Sequence, residues 1–368
     1  MTKILDTGVK NARNVDRYIF GRGAIRDLST ILSTRRESAR DQVIFIIDQY
    51  FETNPKPLSD LPHELNDQVH YVSTQDEPTT DYIDGITQDI IANGDGEVCA
   101  IVGIGGGITL DTGKAVSNLL TNGGRAADYQ GWDLVKVPGV FKIGIPTISG
   151  TGAEATRTCV MTNVENGLKL GMNSDYTVFD QLVLDPDLTA TVPKDQYFFT
   201  GMDAWIHCIE AMNGSYRNSV GDAFSMQAIM ICRDVFLSTD MMSDENREKL
   251  MVASYLGGSA IATSYVGVVH PLSAALSVVL GLHHCVANCI VMLAMESYYP
   301  KEHYEYIQFV EANQVQVPNR VCSGLSDAQF DALYEAAIVH EKPLTNALGE
   351  NFREILTKAQ VRELFEKM

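Results

Sequence analysis

In the segment GMDAWIHCIE, Asp203 and His207 stand four residues apart. A helix here presents a carboxylate oxygen and an imidazole nitrogen on one face, a pair of metal donors. Alone, a D-x-x-x-H pair is an ordinary feature of helix surfaces. Farther along, GVVHPLSAALSVVLGLHHCVAN sets His270 and His284 in strongly apolar surroundings, where an imidazole without a partner is costly. Taken singly, each reads more simply as a satisfied core histidine. One divalent cation would satisfy Asp203, His207, His270 and His284 together, with His283 pointing elsewhere. Cys208, Cys285 and Cys289 lie close by in sequence without C-x-x-C spacing and read as small core residues.

A second chemistry is suggested by GGGITLDTGK, residues 105 to 114, which follows the apolar run Val98 to Ile104. Gly105, Gly106 and Gly107 sit where a buried strand turns into a helix, and bare backbone N–H groups there can receive a pyrophosphate. The alternative is a tight turn that needs positive φ. This is not the G-x-G-x-x-G fingerprint, because Ile108 occupies the third glycine position counted from Gly103. Another loop of small residues, PTISGTGAEAT (146 to 156), also follows an apolar run and offers Thr147, Ser149 and Thr151. Two such loops at the carboxyl ends of parallel strands would line one crevice and favour a dinucleotide. Asp48 ends the first apolar strand, where a carboxylate can bond ribose hydroxyls and repel a 2′-phosphate, favouring NAD over NADP; alone it reads more simply as a turn aspartate.

The elements that must hold these residues fall into two halves. VIFIID (43 to 48), VHYVS (69 to 73), VCAIVGI (98 to 104), FKIGIP (141 to 146) and RTCVMT (157 to 162) read as strands, with helical patterns such as YIDGITQDIIANG between them. That alternation predicts βαβ units in a mostly parallel, Rossmann-like sheet covered on both faces. Beyond VLDPDLTATVPKDQ, where Pro193 suits a first helical turn, strand signals nearly vanish and helical periodicity takes over. The expectation is an α/β NAD-binding domain over 1–190 and an all-α, metal-binding and catalytic domain over 191–368. NFREILTKAQVRELFEKM (351 to 368) reads as one amphipathic terminal helix.

At 368 residues the chain is long enough for two cores. A formal charge of -19 argues against nucleic acid and anionic membranes as partners, since phosphate contacts need clustered Lys and Arg. The seven cysteines are scattered singly, which suits a reducing cytoplasm. MTKILDTGVKNARN lacks the apolar core of a signal peptide, and no stretch reads as membrane-spanning.

With these residues assembled, the chain resembles the iron-containing, or group III, alcohol dehydrogenases from YIFGRGAI (18 to 25) to at least Met292. The family's G-G-G-S-x-x-D-x-x-K is similar to Gly105, Gly106, Gly107, Ile108, Asp111 and Lys114, with Ile replacing Ser. Its G-T-G-S-E turn resembles Gly150 to Glu154, and its G-M-D-A-x-x-H resembles Gly201 to His207. The family's last two metal histidines are fourteen positions apart, the second followed by a short residue and an alanine-asparagine pair, which His270, His284 and CVAN match. The resemblance implies NAD, a divalent metal (Fe2+ or Zn2+) on Asp203, His207, His270 and His284, and a dehydroquinate synthase-like architecture with its active site in the cleft between the domains. A homodimer is the expectation for this class.

One departure concerns a histidine that many members carry four residues after the first of that pair and that is credited with proton relay; here it is Ala274. His283 is the nearest substitute by sequence. The stretch from Ser264 to Met292 looks most like a sugar-acid branch that includes 3-deoxy-D-manno-octulosonate 8-oxidase, which would place the chain in lipopolysaccharide biosynthesis. Such a substrate carries a carboxylate, for which Arg157, Lys169 and Arg217 are candidate partners; Lys169 also counts among the cofactor-binding candidates.

The expected activity is metal-dependent, NAD-linked oxidation of a primary alcohol to an aldehyde, the substrate being a small-molecule alcohol such as the C8 hydroxyl of 3-deoxy-D-manno-octulosonate or a related sugar acid. Two rivals stay open: a lyase or cyclase resembling dehydroquinate synthase that uses NAD transiently, and a non-catalytic scaffold loaded with NAD and metal.

Overall fold

The computed structural model describes residues 12–94 and 96–368. Most of the opening segment read above for a targeting signal, residues 1–11, lies outside the described residues.

Every residue from Gln42 to Ile47 is buried, so the strand they form must be covered on both faces. This strand, β2 (Gln42–Asp48), lies inside a six-stranded sheet with β1 (Arg17–Phe20), β3 (Gln68–Val72), β4 (Val98–Gly105), β6 (Lys142–Pro146) and β9 (Gln181–Leu184). Their order is β1-β9-β6-β4-β2-β3, and each pairing is parallel. The chain moves outward from β2 to β3 and then returns to the other side of β2 for β4. The direction of winding therefore reverses between β2 and β4, and the crevice at the carboxyl ends of those strands is where open α/β sheets bind ligands.

Helices α1 (Leu28–Ser33), α2 (Tyr50–Thr53), α3 (Thr80–Asn93) and α4 (Gly107–Asn122) belong to this half. The Thr79 hydroxyl accepts from Tyr82 N at 3.2 Å and starts α3. Helix α4 follows β4 after one glycine and buries nearly all of Thr109 to Leu119.

RTCVMT forms a strand, β7 (Thr158–Asn163), but outside the parallel sheet. It pairs antiparallel with β8 (Leu168–Asn173), which pairs in parallel with β5 (Gly131–Trp132), making a separate three-stranded sheet. Alternating burial along β7 marks a strand covered on one side only, unlike the continuously buried β2. Strands β1, β5, β8 and β9 were not foreseen; each is six residues or shorter.

No strand follows Leu184 among the described residues. The second half comprises α5 (Lys194–Asn213), α6 (Ser219–Phe236), α7 (Asp244–Ser264), α8 (Val269–Leu280), α9 (His284–Met292), α10 (Pro300–Asn313), α11 (Asp327–Ile338), α12 (Glu341–Leu348), α13 (Phe352–Ile355) and α14 (Lys358–Glu366). From Tyr197 to Ala211 every residue of α5 is buried, so it is the central helix of its unit, packed by α6, α7 and α9. The side chain of Asn218 caps α6 and that of Ser243 caps α7. The expected single terminal helix is two: the Thr357 hydroxyl and the Gln360 side chain form a capping box that starts α14 afresh after α13.

Two compact units result, Arg13–Ile148 with Gly152–Thr191, and Val192–Met368 with Ser149–Thr151. Among the described residues no single helix is long and apolar enough to cross a membrane; α7 and α8 would qualify only together and are bent by 104°.

Candidate metal centre and cofactor loops

Helix α5 aligns Asp203, His207 and Glu210 along one stripe, at i, i+4 and i+7. The Asp203 carboxylate is 1% exposed and faces three imidazoles. His270 Nε2 from the first turn of α8 stands 3.3 Å from Oδ1, His207 Nε2 stands 3.5 Å from Oδ1, and His284 Nε2 at the start of α9 stands 3.9 Å from Oδ2. Asp203, His270 and His284 offer donor atoms all within 4.8 Å of one another. His207 stands beside that group of three, its ring stacked on His270 with centroids 4.7 Å apart and planes at 17°. The structure therefore gathers the three histidines around the Asp203 carboxylate, and Asp203, His270 and His284 form a mutual donor cluster.

A divalent cation fits this arrangement. The three nitrogen-to-oxygen distances suit donors that share a centre, since ligand atoms about 2.1 Å from a tetrahedral ion stand about 3.4 Å apart. Among the described residues Asp203 pairs with no Lys or Arg, and a buried carboxylate needs compensating positive charge. His207 Nδ1 and Asn288 Oδ1 are buried without a hydrogen-bond partner among the described residues.

The electrostatics leave Asp203 and His207 ready to act as ligands, whereas a cation at His270 must displace a proton. Burial opposes ionisation of Asp203, but His207, His270 and His284 outweigh it and hold the carboxyl well below the usual range. Burial pushes His207 down to about 4, with Asp203 opposing only in part, so its ring is neutral and able to coordinate. Burial also works to lower His270, but Glu210 and Asp203 outweigh it and raise the group to about 9.

Two residues of this centre, Glu210 and the Asn288 of CVAN, were given no role from the sequence. Glu210, wholly buried, accepts from His270 Nδ1 through Oε2. Asn288, four residues after His284, donates from Nδ2 to Asp203 Oδ1 at 2.7 Å. Their spacing on the same helical faces as the ligands was the available signal. His283 precedes α9 as its N-cap residue and lies outside the donor cluster. Ala274 is one turn beyond His270 on α8 and is buried.

In the α/β unit, Ile47, Ile104 and Ile145 are paired in one row across β2, β4 and β6. Asp48, Gly105 and Pro146 come next on the three strands, so Asp48, Gly105 to Gly107 and Thr147 gather at the carboxyl edge on both sides of the reversal between β2 and β4. Thr147 N donates to Gly105 O at 3.1 Å. None of Gly105, Gly106 and Gly107 has positive φ, which removes the tight-turn explanation. What excludes side chains is proximity: a Cβ on Gly105 would stand 2.6 Å from Thr109, and one on Gly106 would stand 3.0 Å from Ile148 Cγ2. The Thr109 hydroxyl is buried without a partner among the described residues.

Asp48 accepts from Tyr50 N at 2.9 Å, so it closes a turn and also ends β2. Burial raises its pKa against that hydrogen bond. Lys114 is fully buried and reaches Thr156 Oγ1 at 3.0 Å and Thr158 O at 2.8 Å, while Asp111 Oδ2 accepts from Val160 N at 2.9 Å. Both residues tie α4 to β7 and to the loop before it. Lys169 pairs with Glu77 at 2.9 Å. Arg157 is held by Asp133 and Asp175, and Arg217 by Asp222, so the three cations suggested for a substrate carboxylate all have acidic partners within their own units. In the helical unit, Ser149 Oγ is buried without a partner among the described residues, Thr151 is half-buried, and Gly150 N donates to Ser254 Oγ at 2.8 Å.

Against known proteins, the chain is 34% identical over 221 residues to the sulfoacetaldehyde reductase of Bilophila wadsworthia, covering 59% of this chain and 56% of that protein. It is 29% identical over 282 residues to the NAD-dependent methanol dehydrogenase of Bacillus methanolicus, covering 74% and 72%. The chain spans about half the length of most curated relatives it matches. In fold it is similar to a crystal structure of 1,3-propanediol oxidoreductase, with TM-score 0.82 and 22% identity over 96% of this chain and 99% of the other. Residues 16–186 match the family described as iron-containing alcohol dehydrogenase, and residues 198–367 match the C-terminal part of the Fe-containing alcohol dehydrogenase family. With both halves accounted for, the chain belongs to the iron-containing alcohol dehydrogenase family.

Proposed function

We propose that the chain is a metal-dependent, NAD-linked oxidoreductase that interconverts a primary alcohol and its aldehyde. The observation that carries this reading is the buried Asp203 carboxylate facing the Nε2 atoms of His207, His270 and His284. When bound, iron or zinc supplies Lewis-acid polarisation of the substrate hydroxyl and the nicotinamide supplies the hydride acceptor.

The chain's own residues do the rest. Asp203 is held ionised and His207 neutral, so both present lone pairs at neutral pH. Gly105 to Gly107 and Thr147 offer backbone N–H groups at the edge where β2, β4 and β6 end, and Asp48 is the acceptor for ribose hydroxyls. Asp111 and Lys114 keep α4, and with it the glycine loop, fixed against β7. Ser149, Thr151 and Lys169 complete the proposed cofactor set. With Ala274 in place of a relay histidine, His283 is the group proposed to move the substrate proton. His283→Ala should shift the pH–rate profile with metal content unchanged; an unaltered profile retires that role.

For the substrate, the names of the relatives support small alcohols and aldehydes. Oxidation of the terminal hydroxymethyl of 3-deoxy-D-manno-octulosonate is a finer proposal supported by the likeness of Ser264 to Met292. It is weakened by the internal pairing of Arg157, Lys169 and Arg217. A homodimer and a reducing compartment belong to the same proposal, the latter supported by seven free cysteines, six of them buried.

The test is purified, metal-reconstituted protein with NAD or NADH and a panel of methanol, 1,3-propanediol, sulfoacetaldehyde and sugar acids. Net formation or loss of NADH with one substrate is the expected result. Turnover without net NADH would favour the lyase or cyclase. Tight NAD and metal binding with no substrate-dependent change at any pH would leave a scaffold.

A further inference from the structure

Glu210 is a second carboxylate with no exposure at all, seven residues after Asp203 on the same face of α5. Among the described residues it has no Lys or Arg partner. Its two oxygens go to two different donors. Oε1 accepts from Val269 N, the first residue of α8, at 2.6 Å, and Oε2 accepts from His270 Nδ1.

Space has been left for this carboxylate. A Cβ on Gly267 would stand 3.1 Å from Glu210 Oε1 and 2.6 Å from the Tyr299 hydroxyl, which itself accepts from Val268 N at 3.4 Å. A side chain at residue 267 would therefore crowd the Tyr299 hydroxyl and, less closely, the Glu210 carboxylate.

We propose that Glu210 is the positioning residue of the metal centre: it fixes His270 as the Nδ1–H tautomer and turns its Nε2 lone pair toward Asp203, while holding the first turn of α8 in register. This rests on the reading of Asp203, His207, His270 and His284 as a metal site. A carboxylate that accepts from Nδ1 leaves Nε2 as the coordinating atom and makes the imidazole a stronger donor.

The chemistry discriminates a carboxylate from its amide. Both partners of Glu210 are N–H donors, so glutamine can satisfy one and must turn its own NH2 against the other. A purely space-filling role would tolerate that exchange, because the two side chains have nearly the same shape.

The experiment compares wild type, Glu210→Gln and Gly267→Ala by zinc affinity in chelator competition, with circular dichroism and NAD binding to monitor folding. Outer partners of metal-bound histidines contribute about 10- to 100-fold to affinity. Glu210→Gln is therefore expected to fold, bind NAD and lose zinc affinity by about that factor. Gly267→Ala, which crowds the carboxylate without altering it, should shift in the same direction by less. If wild type binds no zinc, the reading of the metal site fails; if wild type and Glu210→Gln bind it equally, only the role of Glu210 fails. Should Glu210→Gln not fold, 15N-histidine spectra of zinc-loaded wild type decide. A histidine with zinc on Nε2 and a strongly deshielded, slowly exchanging Nδ1–H is the expected signature, and its absence overturns the proposal.

Discussion

The carboxyl edge of β2, β4 and β6 and the buried stripe of α5 are built from opposite materials. At the edge, Gly105 and Gly106 contribute by lacking side chains, and the neighbours that forbid them are Thr109 and Ile148. On α5, Asp203, His207 and Glu210 contribute fully buried polar groups that need one another and the histidines of α8 and α9. An edge made of backbone tolerates changes that leave the backbone in place. A cluster of buried charges does not, because removing one member leaves the others uncompensated.

That contrast orders the expected effects. His270→Ala should be the most damaging, abolishing stoichiometric metal and lowering activity by more than about 100-fold, beyond what an outer partner contributes. Metal analysis beside steady-state rates checks it, and unchanged stoichiometry would erase the contrast. Next is Gly105→Ala, which forces a Cβ to within 2.6 Å of Thr109. It should cost about 1–3 kcal/mol of stability and weaken NAD binding while metal affinity stays at the wild-type value. Loss of metal in this variant would mean that the two sites do not fail independently.

A third expectation concerns pH. In metal-free protein His270 is raised to about 9 from 6.5 by Glu210 and Asp203 against its burial. The stability contributed by the protonated ring is complete below about 6.5 and is lost as pH rises through about 9. Thermal unfolding in the presence of a chelator should fall over that window, more steeply than that of metal-loaded protein, in which the ion takes the place of the proton. Parallel curves would count against it. The smallest effect is at the edge: Asp48→Gly should raise the preference for NADP relative to NAD by about tenfold, roughly 1.4 kcal/mol. An unchanged preference leaves Asp48 as the turn residue that its bond to Tyr50 N already makes it.

The same difference explains what could be read before the structure. Asp203 and His207 were legible because helical spacing alone puts them on one face, and His270 and His284 because imidazoles in an apolar run demand a partner. Glu210 carried an equal signal at i+7, and Asn288 at i+4 from His284, but a buried carboxylate or amide becomes informative only once the donors around it are known.

Among strands, the continuously apolar β2 and β4 declared themselves, whereas β9 has four residues and β1 is largely exposed. RTCVMT had the composition of a strand, yet its partner β8 is settled by pairing that periodicity does not encode. The break before α14 was written in Thr357 and Gln360, and an amphipathic pattern running across it concealed the cap.

The central claim is that one divalent ion is gripped by Asp203 and the imidazoles around it. X-ray absorption on zinc-reconstituted protein, with the metal counted in the same sample, tests it most directly. One zinc per chain with a nitrogen and oxygen shell dominated by imidazole is the predicted result. Substoichiometric zinc, or a shell containing sulfur from a cysteine such as Cys285, would contradict it.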